Sequence, residues 1–80
     1  MLRDKNLKYS KLRSLLSRHR VYEVKHRGKG SHRLFVWDNV DGRKISYPVA
    51  CHHEGVEISA YIVRRVRETF QIPVEQFYEK

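Results

Sequence analysis

Residues 32–38, His-Arg-Leu-Phe-Val-Trp-Asp, constrain this chain more than any other stretch. Leu34 and Val36 share one side of an extended backbone and Phe35 and Trp37 share the other, so both faces carry apolar bulk. Gly28 and Gly30 break the chain just before this run, and Asn39-Val40-Asp41-Gly42 supplies a hairpin-type turn just after it. Such a segment reads as a central strand between two antiparallel neighbours. Val21–His26 and Arg43–Tyr47 are the neighbours, the second ended by Pro48.

Helical periodicity flanks this sheet. Tyr9, Leu12, Leu15, Leu16 and His19 repeat at helical spacing, with Ser10 a plausible cap. Ile58, Ile62, Val66 and Phe70 recur every four residues, and Val63 widens the stripe, with Glu57 or Ser59 in the first turn. Pro73 interrupts that helix or opens a short terminal one ending near Phe77. Residues 1–7 show little periodicity and read as a loose basic arm, and residues 50–57 read as a polar loop. The order is helix, three strands, helix: an α+β domain whose three-stranded antiparallel sheet is covered on one face by two helices. With one cysteine, Cys51, in 80 residues, no internal disulfide can staple the fold, so the core is built from aliphatic and aromatic side chains. An unpaired thiol, no secretory apolar run and no stretch able to span a bilayer lead to the expectation of a soluble, cytoplasmic, non-membrane protein.

Seventeen Lys and Arg against nine Asp and Glu give a formal net charge of +8, a balance that speaks of partners rather than fold. Arg18, Arg20, Lys25, Arg27, Lys29 and Arg33 crowd around one strand and turn, and Arg64, Arg65 and Arg67 form a second group. Two concentrated basic segments fit a phosphate footprint better than a uniformly solvated surface.

His32 stands at the opening of the central strand, next to the basic turn, and imidazole both takes and gives a proton near neutral pH. Alternation puts it in phase with Leu34 and Val36, which leaves a partly buried edge histidine as the plainer alternative. In an RNA-cleaving site, His32 would deprotonate a ribose 2′-hydroxyl or protonate the departing 5′-oxygen. Lys29, Arg33, Lys25 and Arg27 would hold phosphates, with Gly28 and Gly30 letting the amides of the turn approach an anion and Ser31 in a hydrogen-bonding or turn role. A regular strand sends Arg33 to the side opposite His32. Gly-Lys-Gly-Ser-His lacks the glycine spacing and terminal Lys-Ser or Lys-Thr of a nucleotide-binding P-loop, and Ser31 lacks a nucleophile elbow. His52 and His53, with Cys51, His26 or His32, do not follow a familiar metal-ligand spacing, so no metal and no cofactor is expected. Tyr22, Trp37 and Tyr47 are candidates for base stacking, although a small sheet needs the same rings for packing.

Tyr9-Ser10-Lys11-Leu12, Gly30-Ser31-His32-Arg33-Leu34-Phe35, Tyr47-Pro48, His53, the stripe Ile58, Ile62 and Val66, and the terminal 71–77 stretch together resemble the HicA family of small toxins, also described as YcfA-like mRNA interferases. The resemblance covers about residues 8–78, leaving residues 1–7 as a basic N-terminal extension. It implies a double-stranded-RNA-binding-domain-like α-β-β-β-α fold, cleavage of messenger RNA with His32 as the catalytic residue, action on RNA with or without the translating ribosome, and inhibition by a HicB-type antitoxin. It makes His53 a possible additional site residue; Arg64, from the second basic group, is a further candidate RNA contact on the charge pattern alone. His53 lies farther from Pro48 than the compact family pattern, so Cys51-His52-His53 reads as a short insertion. Two other readings remain open from the residues themselves: a noncatalytic double-stranded-RNA-binding module, and a small domain whose basic face docks on an acidic protein.

Overall fold

The computed structural model describes residues 3–25, 32–38, 42–53 and 55–78, and for Lys25 and His32 the backbone alone. The element order is β1 (Leu7–Lys8), α1 (Tyr9–Ser17), β2 (Val21–Lys25), β3 (His32–Asp38), β4 (Lys44–Ala50), β5 (Glu57–Ile58), α2 (Ala60–Thr69) and α3 (Val74–Phe77). It is a small α+β structure built on an antiparallel sheet of order β2-β3-β4 and two main helices. β1 and β5 form a separate two-stranded ribbon.

Register divides the sheet into two unlike faces. Val21 lies opposite Trp37, Glu23 opposite Phe35, Phe35 opposite Tyr47, and Arg33 opposite Val49. This alternation collects Val21, Phe35 and Val49, with Cys51 just past the strand end, into the main core. α1 adds Tyr9, Leu12, Leu15 and Leu16, and α2 adds Val63 and Val66, to the same core. The other alternation, through Tyr22, Val24, Leu34, Val36, Ser46, Pro48 and Ala50, is the face that cluster leaves out. Val36 is nevertheless buried there, as the centre of the Tyr22–Val36–Ser46 row, while Tyr22 and Val24 stay exposed.

Several elements depart from the periodicity reading. α1 starts at Tyr9 with Lys8 as an uncapped N-cap, and His19 falls in the turn beyond the helix. β4 runs through Pro48 to Ala50 instead of stopping at Tyr47, which an edge strand permits because the missing N–H can face away from the ladder. Ile58 belongs to β5, not to the helical stripe, and α2 begins only after Ser59, whose hydroxyl accepts the Ile62 N–H at 3.4 Å.

Residues 4–7, expected as a loose arm, are tied down. Leu7 is buried opposite Ile58, the Asn6 side chain accepts the Ala60 N–H at 2.7 Å, and Asp4 takes two bonds from Arg67, at 2.9 and 2.8 Å. None of these contacts has a local periodic signature, because each partner lies more than 50 residues away. α3 is a single turn that closes the core with fully buried Phe77, its ring edge-on to Tyr78 and stacked with His19.

Candidate functional site

Most of the site residues expected from the sequence belong to the β2–β3 hairpin. Lys25 ends β2 opposite Arg33, and His32 opens β3 opposite Ala50. Arg27, Lys29, Gly30 and Ser31, assigned to the same turn from sequence, lie outside the described residues, as do the side chains of Lys25 and His32. The face shared by Leu34 and Val36, with which His32 is in phase in the sequence, is the one the helices leave uncovered.

Arg33 is held on the opposite, helix-covered side. Its guanidinium meets Glu23 at 3.4 Å, and both side chains are mostly buried. Tyr9 and Arg13 sit one helical turn apart on α1, which brings both to the same carboxylate. The Tyr9 hydroxyl donates to the Glu23 oxygen that Arg33 also reaches, Arg13 stands 3.9 Å from the other oxygen, and the Arg13 guanidinium lies over the Tyr9 ring. Burial, and then the adjacent carboxylate, push the Tyr9 hydroxyl well above the ordinary tyrosine range, so it remains a donor. Two guanidiniums around one carboxylate leave local positive charge beside the start of β3, but the geometry makes Arg33 a fixed part of the helix–sheet joint.

Arg64 lies elsewhere, on the exposed side of α2, paired with Glu68 at 3.2 Å. It borders a shallow cavity of about 460 Å³ with Arg3, Tyr61 and Arg67. Arg67, in the same basic group by sequence, is consumed by Asp4 and by the carbonyl of Ile72 at 2.9 Å. Arg65 is exposed on the same helix, where the nearby Tyr47 hydroxyl favours its charged form. The second basic group therefore splits into a structural clasp and two surface cations.

His53 organises its own loop. Its Nδ1 accepts the Gly55 N–H at 3.1 Å, and its carbonyl accepts the Val56 N–H at 3.0 Å and the Cys51 thiol at 3.4 Å. These bonds give the Cys51-His52-His53 stretch a backbone role. Among the described residues no three His, Cys, Asp or Glu side chains are grouped to hold a metal, and no helix is long and apolar enough to cross a membrane. Of the aromatic candidates, Trp37 and Tyr47 pack against the core, whereas Tyr22 is exposed on the uncovered face with its hydroxyl donating to Asp38 at 3.3 Å.

Sequence reasoning missed Glu23, Tyr9 and Arg13 as a unit. The available signal was Glu23 in phase with Val21 on a strand facing the helices, an acid where an apolar residue belongs. Comparison with known proteins returned no matching family, no matching curated protein and no matching solved structure.

Proposed function

We propose that this chain is a metal-independent endoribonuclease of the HicA kind, which cuts messenger RNA and is held inactive by a HicB-type antitoxin. One observation carries the reading: His32 is the first residue of the central strand, at the mouth of a hairpin whose connection holds Arg27 and Lys29. An acid–base side chain beside concentrated cations suits phosphodiester cleavage. The helix, three antiparallel strands, helix order is in keeping with a double-stranded-RNA-binding-domain-like fold, and a net charge of +8 suits a polyanionic substrate.

In this mechanism the 2′-oxygen of the substrate is the nucleophile. His32 removes its proton, O2′ attacks the adjacent phosphorus, the P–O5′ bond breaks, and the 5′-oxygen takes up a proton. The products are a 2′,3′-cyclic phosphate and a 5′-hydroxyl. Acid–base catalysis of this type contributes on the order of 10²–10⁴ in rate. DNA, lacking the 2′-hydroxyl, is not a substrate.

The test is incubation with RNA and with sequence-matched DNA, with and without chelator, in parallel with His32→Ala and on translated messenger RNA. Chelator-resistant cutting of RNA alone, lost in a folded His32→Ala protein, is the expected result. Binding of duplex RNA without cutting of either naked or translated RNA, unchanged by the substitution, replaces this reading with that of a noncatalytic binding module.

A further inference from the structure

β4 is an outer strand of the β2-β3-β4 sheet, and Pro48 reveals how its backbone is oriented. Proline has no N–H to exchange, so the Pro48–Leu34 pair is a non-hydrogen-bonded one, and the bonded pairs are its neighbours, Tyr47 with Phe35 and Val49 with Arg33. Alternation then turns the backbone polar groups of Ser46, Pro48 and Ala50 away from β3. No described residue bonds to them. Such an edge accepts a further strand.

The surroundings specify which strand. A cleft of about 350 Å³ runs beside the edge, between β4 and the approach to α2, and is lined by Tyr47, Val49, Val56, Ile58 and Ile62 among others. Its size and lining suit a large apolar side chain. Lys44, exposed, begins the edge opposite Asp38, and Arg65 is exposed on α2 near Tyr47. Glu57 borders the cleft farther along, its carboxylate engaged by Asn6 at 3.5 Å. Lys44 and Arg65 against the single carboxylate of Asp38 leave the near end of the edge with a net positive charge.

We propose that β4 receives an extended segment of an acidic protein partner as a fourth strand. Backbone bonds to Ser46, Pro48 and Ala50 hold it, one apolar side chain fills the cleft, and separate carboxylates meet Arg65 on the helix-covered face and Lys44 on the opposite face. A second copy of this chain fits poorly, because two protomers of charge +8 repel and a self-pair would meet the missing Pro48 N–H twice. RNA has no β-strand backbone to bond this edge, and the apolar cleft offers its phosphates nothing. Docking at β4 stands independently of the ribonuclease reading.

The experiment uses the full chain and fluorescein-labelled nine-residue peptides that alternate Val or Ile with Asp or Glu. Control peptides replace the acids with Lys or place Pro at alternate positions. The acidic peptide is expected to bind, to protect the Ser46 and Ala50 amides from hydrogen exchange, and to outcompete both controls. Ala50→Pro removes an outward N–H without touching the ladder to β3, and should weaken binding at least tenfold. Arg65→Glu, at an exposed site and so safe for folding, should weaken the acidic peptide and improve the Lys-bearing one. Failure of every acidic peptide to bind, or binding indifferent to Arg65→Glu, overturns the proposal. So does a dimer that dissociates on Ala50→Pro, which would make a second copy the occupant, or displacement of the peptide by a short RNA that binds the same edge.

Discussion

The Tyr9 hydroxyl and the Arg33 guanidinium converge on one oxygen of Glu23, which joins the first helix to the hairpin that carries His32. Glu23 lies on the helix-covered alternation of β2, where an unpartnered carboxylate would be strongly disfavoured. Supplying it with a buried hydroxyl and guanidiniums converts a misplaced acid into a joint. The joint fixes the backbone at positions 33 and 23, one residue from the candidate catalytic position.

Tyr9→Phe keeps the ring and removes the donor. Bonds to charged groups contribute roughly 1.5–3 kcal/mol, so a loss of about 2 kcal/mol in unfolding free energy is expected. Glu23→Gln should cost less in the Tyr9→Phe background than in the parent, because the two residues act on each other. Urea denaturation of the four proteins provides the measurement, and strictly additive losses would show that the hydroxyl and carboxylate do not interact energetically.

Asp4 and Arg67 form the other long-range joint, a two-pronged pair of largely buried side chains to which Tyr78 adds a hydrogen bond at 3.1 Å. The Arg67 hydrogen bond, opposed by burial, holds the Asp4 carboxyl below its ordinary value. A carboxyl whose folded pKa is depressed stabilises fully above its unfolded pKa and loses that contribution as pH falls through its folded value. Stability should therefore decline below about pH 4, near the ordinary aspartate pKa. Asp4→Asn should remove about 3 kcal/mol at neutral pH, as breaking one side of a buried pair does, and flatten that acid limb. Thermal melts from pH 2 to 7 test both parts; an unchanged acid limb in Asp4→Asn would assign the decline to other carboxylates.

How much of this was legible in the sequence depends on the range of the contacts. The central strand and its two antiparallel neighbours follow from alternation and turn residues, and the Phe35–Trp37 face meets the helices as one of the two apolar faces had to. The α2 stripe was partly readable: Val63, Val66 and Phe70 are buried, but Ile58, in phase with them, is held by its pairing with Leu7. Nothing within one turn of Asp4, Asn6 or Leu7 announces partners at Arg67, Ala60 and Ile58. In the basic segments, counting charges located the clusters but could not tell Arg33 and Arg67, which are spent on Glu23 and Asp4, from Arg64 at the surface.

Tyr78 makes the alkaline side of the stability curve testable. Burial raises its hydroxyl to about 12, opposed by the Lys5 N–H that the oxygen accepts at 3.4 Å and reinforced by Asp4. A group whose folded pKa is raised stabilises fully below its unfolded value and loses that contribution as pH climbs through the folded one. This part of the stability should fade between about pH 10, the ordinary tyrosine value, and pH 12. Tyrosinate absorbance in the folded protein should include a late component that Tyr78→Phe removes, as Tyr9→Phe removes another. A titration curve identical in Tyr78→Phe would show that this hydroxyl ionises as freely as one in water.

The end of α2 supplies a stabilising substitution. The Ile72 N–H bonds the Arg67 carbonyl and the Gln71 N–H bonds the Glu68 carbonyl, both at 3.1 Å, the paired pattern of a helix terminus that needs a left-handed residue between. That residue is Gln71, at φ +59, where glycine is the usual occupant. A left-handed conformation costs a residue with a Cβ roughly 1–2 kcal/mol. Glycine avoids this cost but loses roughly 0.5–1 kcal/mol more backbone entropy on folding. The Gln71 side chain is exposed, so little packing is lost with it. Gln71→Gly should therefore stabilise the fold by about 0.5–1 kcal/mol, raising Tm by a few degrees for a domain of this size. Gln71→Val should act in the opposite sense, because a β-branched side chain tolerates positive φ least. Parallel urea and thermal unfolding of the three proteins measures the order, and a glycine variant less stable than the parent, at unchanged m-value, would mean that the Gln71 side chain contributes more than its backbone strain costs.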